Sequence, residues 1–314
     1  MRTPNIFAGP YLDRAAHLRK DAAFVASALA DPGSLLVPLW QARNLLQRAG
    51  HARSAAFVEV RHAMRGEMPD GELVLLGMYR GRACFAVDLA AEAPPILPSD
   101  ATFEDLRVAG GLLPQDEAGL LAYARAMVLW RRRHRYCSSC GAPARSESAG
   151  HVMKCTDPAC GTEQFPRLDP AIIVLVTDGE RALLGRQAAW PAGRYSTIAG
   201  FVEPGESLED AVVREVLEET GVTVLDADYH SSQPWPFPSS LMIGFTARAA
   251  ADAVLRADEE LEDVRWFTRE QIASGTPGLP PPQSVSYRLI ADWYDSGSAV
   301  PLRDTPGVQL WGRR

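Results

Sequence analysis

Residues 200–222 read GFVEPGESLEDAVVREVLEETGV. They set Glu206, Glu209, Glu215, Glu218 and Glu219 in a loop and the helix predicted to follow it. Gly200 and Pro204-Gly205 build the turn of that loop, and Ser207 is placed to cap the helix. At about 100° per residue, Leu208, Val212, Glu215 and Glu219 share one stripe that starts apolar and ends acidic. Glu218 lies beside it, with Arg214 one helical turn earlier. Carboxylates at the C-terminal end of a core-facing stripe repel one another and oppose the helix dipole. A divalent cation with oxygen ligands relieves both problems. Mg²⁺ and Mn²⁺ bind in this way while keeping waters and phosphates in their shell, and a water acidified by such an ion can attack phosphorus. The competing reading is a solvated acidic helix face. Composition alone does not separate the two.

Working outward, AIIVLVT (171–177) reads as a buried strand, Asp178-Gly179 as a turn and RALLGRQ (181–187) as the returning strand. Ser196–Ala199 leads into the glutamate loop. Val222–Tyr229, SSLMIGFTARA (239–249) and DVRWFT (263–268) are further strands, with Trp266 a core residue. Thr268-x-x-Gln271 is a capping box opening a short helix, and a last helix covers Ser284–Tyr294. Upstream, residues 5 to about 130 form a separate α/β or α+β region. LVLLGMYRGRACFAVDL (73–89) is a hairpin around Arg80-Gly81-Arg82. Residues 115–135 form a helix with Leu120, Leu121, Ala124, Met127 and Val128 on its apolar stripe. Its end, Arg131, Arg132, Arg133, His134 and Arg135, either complements the helix dipole or contacts phosphates at a nucleic-acid 5′ end.

The length of 314 residues suits two domains with room for a small third, and 46% apolar with 23% charged residues fits sizeable cores. A net charge of −7 argues against a general nucleic-acid coat or a membrane-surface protein, while leaving a local basic patch open. The longest aliphatic run, Ile172–Val176, is far too short to span a bilayer. The N-terminus shows no secretory pattern, so the cytoplasm is the expected location. Cys84 sits in an apolar run and reads as a buried thiol. Cys137, Cys140, Cys155 and Cys160 form C-x2-C-x14-C-x4-C, each pair followed by glycine, Gly141 and Gly161. The pattern reads as a structural zinc ribbon rather than two disulfides, and four thiolates leave no open position for catalysis.

The spacing Gly200-x5-Glu206-x7-Arg214-Glu215-Val216-x-Glu218-Glu219-x-Gly221-Val222 matches without departure the box of the Nudix hydrolases, G-x5-E-x7-R-E-U-x-E-E-x-G-U with U aliphatic. The resemblance implies an α/β (α+β) fold in which a mixed sheet is sandwiched between helices. It implies cleavage of a nucleoside diphosphate linked to another moiety. It gives Arg214 the task of orienting the glutamates, and Glu215, Glu218 and Glu219 to metal, with Glu206 completing the catalytic set. Glu219 is the most critical carboxylate, as ligand and candidate base.

The substrate must be read outside the box. In SQPWPFPSS (232–240), Pro234, Pro236 and Pro238 alternate with Trp235 and Phe237, a stiff segment that can clamp a flat base. Taken alone it is equally a Pro-rich surface loop or a hydrophobic plug. Beside the box, Gln233, Pro234, Trp235, Pro236, Phe237, Pro238, Ser239 and Ser240 resemble the signature of the NADH pyrophosphatase subfamily. The zinc ribbon and a distinct N-terminal domain fit that subfamily too, the likeness fading over residues 1–70. The implied division is an N-terminal domain (1–130), a zinc ribbon (131–165), a Nudix domain (166–300) and a tail (301–314).

By the same resemblance, Phe165 (where Tyr is common) and Phe201 stack on bases, and Ala199 and Ser286 contact substrate. Glu260 is a further Mg²⁺/Mn²⁺ ligand, with Glu259 and Glu262 as neighbouring candidates. SAGHVMK (148–154) lacks a glutamate that some relatives use near the substrate. The implied activity is hydrolysis of NADH or NAD⁺ to nicotinamide mononucleotide and AMP, and removal of NAD caps from RNA 5′ ends, by a homodimer. ADP-ribose or a dinucleoside polyphosphate is the alternative substrate. A non-enzymatic zinc-ribbon RNA-binding protein is the alternative of another class.

Overall fold

The computed structural model describes residues 3–59, 73–89, 100–250, 254–256 and 260–311, so Glu259 lies outside the described residues. The run at 171–177 explains the layering of the C-terminal half. In the strand Asp169–Thr177, Ile172, Val174 and Val176 enter one core with Ala211, Val212 and Val216 of the helix Leu208–Thr220. Ile173 and Leu175 enter a second core with Leu289 and Ile290 of the helix Val285–Ser296. Successive strand side chains point to opposite faces, so a continuous apolar run requires cover on both.

The six-stranded sheet runs Val224–Trp235, Ser240–Ala249, Asp169–Thr177, Arg181–Arg186, Asp263–Thr268, with Ile198–Phe201 also on Asp169–Thr177. Asp169–Thr177 and Ser240–Ala249 pair in parallel and the other pairs are antiparallel. This is the mixed sheet between helices that the box implies. The expected strand at 222–229 extends further, through Trp235. It lies at the sheet edge, where Pro234 breaks no ladder by lacking an N–H.

The N-terminal region is a second mixed sheet of eight strands, with Leu35–Trp40 parallel to Arg82–Leu89. Val74–Tyr79 and Arg82–Leu89 form the expected hairpin around Arg80 and Gly81, at φ of 50° and 78°. Cys84 is fully buried, and burial pushes its thiol up to about 12. The helix Gln115–Arg133 buries the whole expected stripe against this sheet. Of its basic end, Arg132 forks onto Asp88 and Arg131 donates to Leu73 O at 3.4 Å. Those two arginines therefore fasten the helix to the hairpin.

The ribbon is a three-stranded sheet of Ala144–Glu147, Val152–Cys155 and Glu163–Gln164. It docks on the N-terminal sheet through His151, whose Nε2 lies 2.7 Å from Leu75 O, which requires the Nε2–H tautomer. Burial pulls the His151 pKa down to about 4 from 6.5. A lowered folded-state pKa means that the unfolded chain takes up the proton first. Stability is therefore complete above pH 6.5 and falls by about 3 kcal/mol as pH drops towards 4. Urea midpoints at pH 7 and pH 4.5 should fall further for the wild type than for His151→Gln. Zinc release, common to both, cancels in that comparison.

Candidate active site

The glutamate helix is built by its ends. Ser207 Oγ accepts from Asp210 N at 3.1 Å and Asp210 returns the bond to Ser207 N, closing a capping box. Gly221 ends the helix at φ 71°, the left-handed conformation that favours glycine. Between them Ala211, Val212 and Val216 are buried against the sheet, and that face carries Glu215 and Glu219 inward with it. Glu219 is only 5% exposed. A Cβ on Gly200 would lie 1.9 Å from Glu215 Cδ, so any larger residue there would push that carboxylate from its place.

Arg214 gathers the acids. Its guanidinium forks onto both oxygens of Glu206, at 2.5 and 3.1 Å, and reaches Glu218 and Glu215 at 3.0 Å each. It also donates to Phe201 O at 2.9 Å, which ties the helix to the loop strand. Arg214, with the Glu203 N–H, holds the Glu206 carboxyl below its ordinary range. Glu215 is shifted the other way: burial raises it, Arg214 opposes, and the negative charges of Glu218 and Glu260 raise it further. Glu260 is thus close enough to act on Glu215 although it arrives from a different segment. The donor set is carboxylate oxygen throughout, which suits a hard divalent ion. Among the described residues, only the four cysteines bring three or more ligand atoms within 4.8 Å of one another.

On the strand Ile198–Phe201, Ile198 is buried on the helix side while Ala199 and Phe201 are exposed on the other, as strand alternation requires. Phe201 is 59% exposed and Phe165 61%, both unusually open for aromatic rings. Ser286 is buried, its Oγ 2.9 Å from the hydroxyls of Ser196 and Thr197, so it ties the last helix to the approach of the loop strand. Gln233 is 1% exposed and holds Gln283 O and Val285 N, at 2.8 and 2.9 Å, at the start of that helix. Trp235 and Phe237 do not stand free as a clamp. They pack on Phe7 and the N-terminal core. A cavity of about 260 Å³ opens beside them, lined by Tyr123, Trp130, Leu168, Pro234, Trp235 and Ser240.

The cysteine sulfurs fit zinc. Cys137 and Cys160 Sγ are 3.8 Å apart, and Cys140 and Cys155 Sγ 3.4 Å. Tetrahedral zinc with Zn–S of about 2.3 Å sets these edges near 3.8 Å. The backbone N–H groups of Ser139 and Cys140 lower the Cys137 thiol, and Thr162 lowers Cys160. Burial raises Cys155 and the neighbouring sulfurs raise Cys140 against the Ala142 N–H, so zinc binding must also draw protons from the raised pair. Gly141 and Gly161, at φ 78° and 59°, make the turns that present such donors.

Family models match three consecutive parts of the chain. Residues 33–130 match an NADH pyrophosphatase-like rudimentary NUDIX domain, 132–165 an NADH pyrophosphatase zinc ribbon domain, and 167–292 a NUDIX domain. The protein named NAD-capped RNA hydrolase NudC in Stutzerimonas stutzeri is 42% identical over 215 residues, covering 68% of this chain and 75% of the relative. The chain belongs to the NADH pyrophosphatase subfamily of Nudix hydrolases. A protein of the same name in Mycobacterium bovis is 40% identical over 265 residues, 83% of this chain and 81% of its own. One in Pseudomonas aeruginosa is 44% identical over 190 residues, 60% of this chain and 66% of its own.

Within this Nudix chain, several residues that shape the site lay outside sequence reasoning. Asn5, Phe7 and Arg125 all contact the segment 231–237. Arg125 did leave a trace, a cation inside the apolar run YARAMV. Asn5 and Phe7 left none.

Proposed function

We propose that this Nudix hydrolase cleaves the pyrophosphate of NADH or NAD⁺, giving nicotinamide mononucleotide and AMP, and breaks the same bond in NAD-capped RNA. The observation that carries the reading is Arg214 gathering Glu206, Glu215 and Glu218 beneath Gly200, with Glu260 acting on Glu215. The names of the relatives support the substrate. Glu215, Glu218, Glu219 and Glu260 would hold Mg²⁺ or Mn²⁺. Those ions, when bound, acidify a water and neutralise the pyrophosphate. Arg214 and Glu206 keep the ligand carboxylates in register. Glu219, buried, takes the proton of the attacking water. Phe165 and Phe201 offer open faces for stacking on bases, and Ala199 lies exposed beside Phe201. Gln233 and Ser286 position the segments that carry these groups, and Pro234–Ser240 walls the nicotinamide side. The four cysteines hold structural zinc. The chain works as a cytoplasmic homodimer, and among the described residues no helix is long and apolar enough to cross a membrane.

The test is kcat/KM for NADH, NAD⁺, ADP-ribose and NAD-capped RNA, with Mg²⁺ and with Mn²⁺. The nicotinamide dinucleotides, free or as caps, should lead. ADP-ribose as much the best substrate would refute the reading.

A further inference from the structure

Three residues of the N-terminal region end on the segment Ser231–Phe237. Phe7 is buried with its ring 6.3 Å from Trp235 and 6.0 Å from Phe237, which stand 5.0 Å from each other. Its backbone is at φ 68°, a left-handed conformation that bulky L-residues rarely adopt. Space for the ring exists because Gly110 has no Cβ, which would lie 2.6 Å from Phe7 Cζ. Two residues earlier, Asn5 Nδ2 donates to Ser231 Oγ at 3.1 Å and to Ser232 O at 2.8 Å. Its Oδ1 accepts from Arg288 at 2.9 Å.

From the other side, Arg125 Nε donates to Pro236 O at 2.9 Å, and its guanidinium lies 5.1 Å from the Phe237 ring centre. Arg125 is 9% exposed, and among the described residues its Nη1 has no hydrogen-bond partner. Arg107 adds a second guanidinium 4.9 Å from the same ring. Burying an incompletely paired cation is costly, and an apolar side chain of similar volume would stabilise a mere packing contact better. Strain at Phe7 and desolvation at Arg125 are both borne at the segment whose residues resemble the subfamily signature.

We infer that Asn5, Phe7 and Arg125 are positioning residues by which the N-terminal region sets the conformation of Gln233–Ser240, and so the preference for substrates with a second heteroaromatic ring. The inference rests on the proposed function for its substrate and on geometry alone for the positioning.

Two readouts test it on the full chain, using Phe7→Ala, Arg125→Met and Arg125→Lys. Hydrogen exchange over residues 233–240 should quicken about tenfold in Phe7→Ala and Arg125→Met, with residues 208–220 unchanged. For the same two variants kcat/KM for NADH should fall tenfold or more, to about a hundredfold, and that for ADP-ribose should stay within about twofold. Arg125→Lys, which keeps a cation and a donor, should recover most of the loss. Unchanged exchange at 233–240, or equal losses on NADH and ADP-ribose, would overturn the inference. A wild type that does not cleave NADH would defeat the proposed function, and the exchange measurement would then decide the positioning by itself.

Discussion

Glu219→Gln loses about 10²–10⁴-fold in kcat on NADH while folding normally, the range expected when a carboxylate that moves a proton is removed. The amide has the same shape, so the packing of the helix is kept. Glu219 is 5% exposed near the helix C-terminus, so the isosteric amide is the substitution that keeps its site filled. Glu209→Gln is the matched control: the same substitution on the first turn of the same helix, at an exposed residue. It should leave kcat within about twofold. Steady-state kinetics and thermal melts of the two proteins check this together. Equal activity of Glu219→Gln and wild type would instead favour a protein that works through its ribbon and its arginines.

Loss of zinc should be the largest effect on stability. The ribbon's three short strands enclose little apolar surface of their own, and Met153 belongs to the core of the N-terminal domain. The metal therefore supplies most of the folding energy of this module, and zinc-finger peptides bind zinc with about 10–16 kcal/mol. Cys140→Ser should lack the single zinc carried by each wild-type chain. Its Tm should fall by about 10 °C or more, and backbone amides from Ala144 to Gln164 should lose protection from exchange. The helix Leu208–Thr220 belongs to a different core and should keep its protection. Elemental analysis showing no zinc, or mass spectrometry showing two disulfides, would contradict this.

The layered fold was legible because its signals are local. The run Ile172–Val176 has no polar face, so it demanded cover on both sides, and the two helices that cover it show their own period. The catalytic helix was legible from spacing, with Ser207 and Gly221 marking its ends. Glu260 could be named only through resemblance, and the structure sets it within electrostatic reach of Glu215. The residues of Gln233–Ser240 offer a stiff clamp for a base, a surface loop or a hydrophobic plug, and sequence does not choose among them. The first three residues of the segment, Gln233–Trp235, instead end an edge strand, and its aromatic rings rest on Phe7. A contact across more than two hundred residues leaves no period or turn signal at either end. The cost at Phe7 is a backbone angle, which the residue name does not reveal.

The central claim is that water attacks the pyrophosphate. The direct measurement is product analysis by mass spectrometry after reaction with NADH in ¹⁸O-water. The expected result is AMP and reduced nicotinamide mononucleotide, with one ¹⁸O in a phosphate of one of them. Release of nicotinamide with ADP-ribose, or products without ¹⁸O in phosphate, would contradict it.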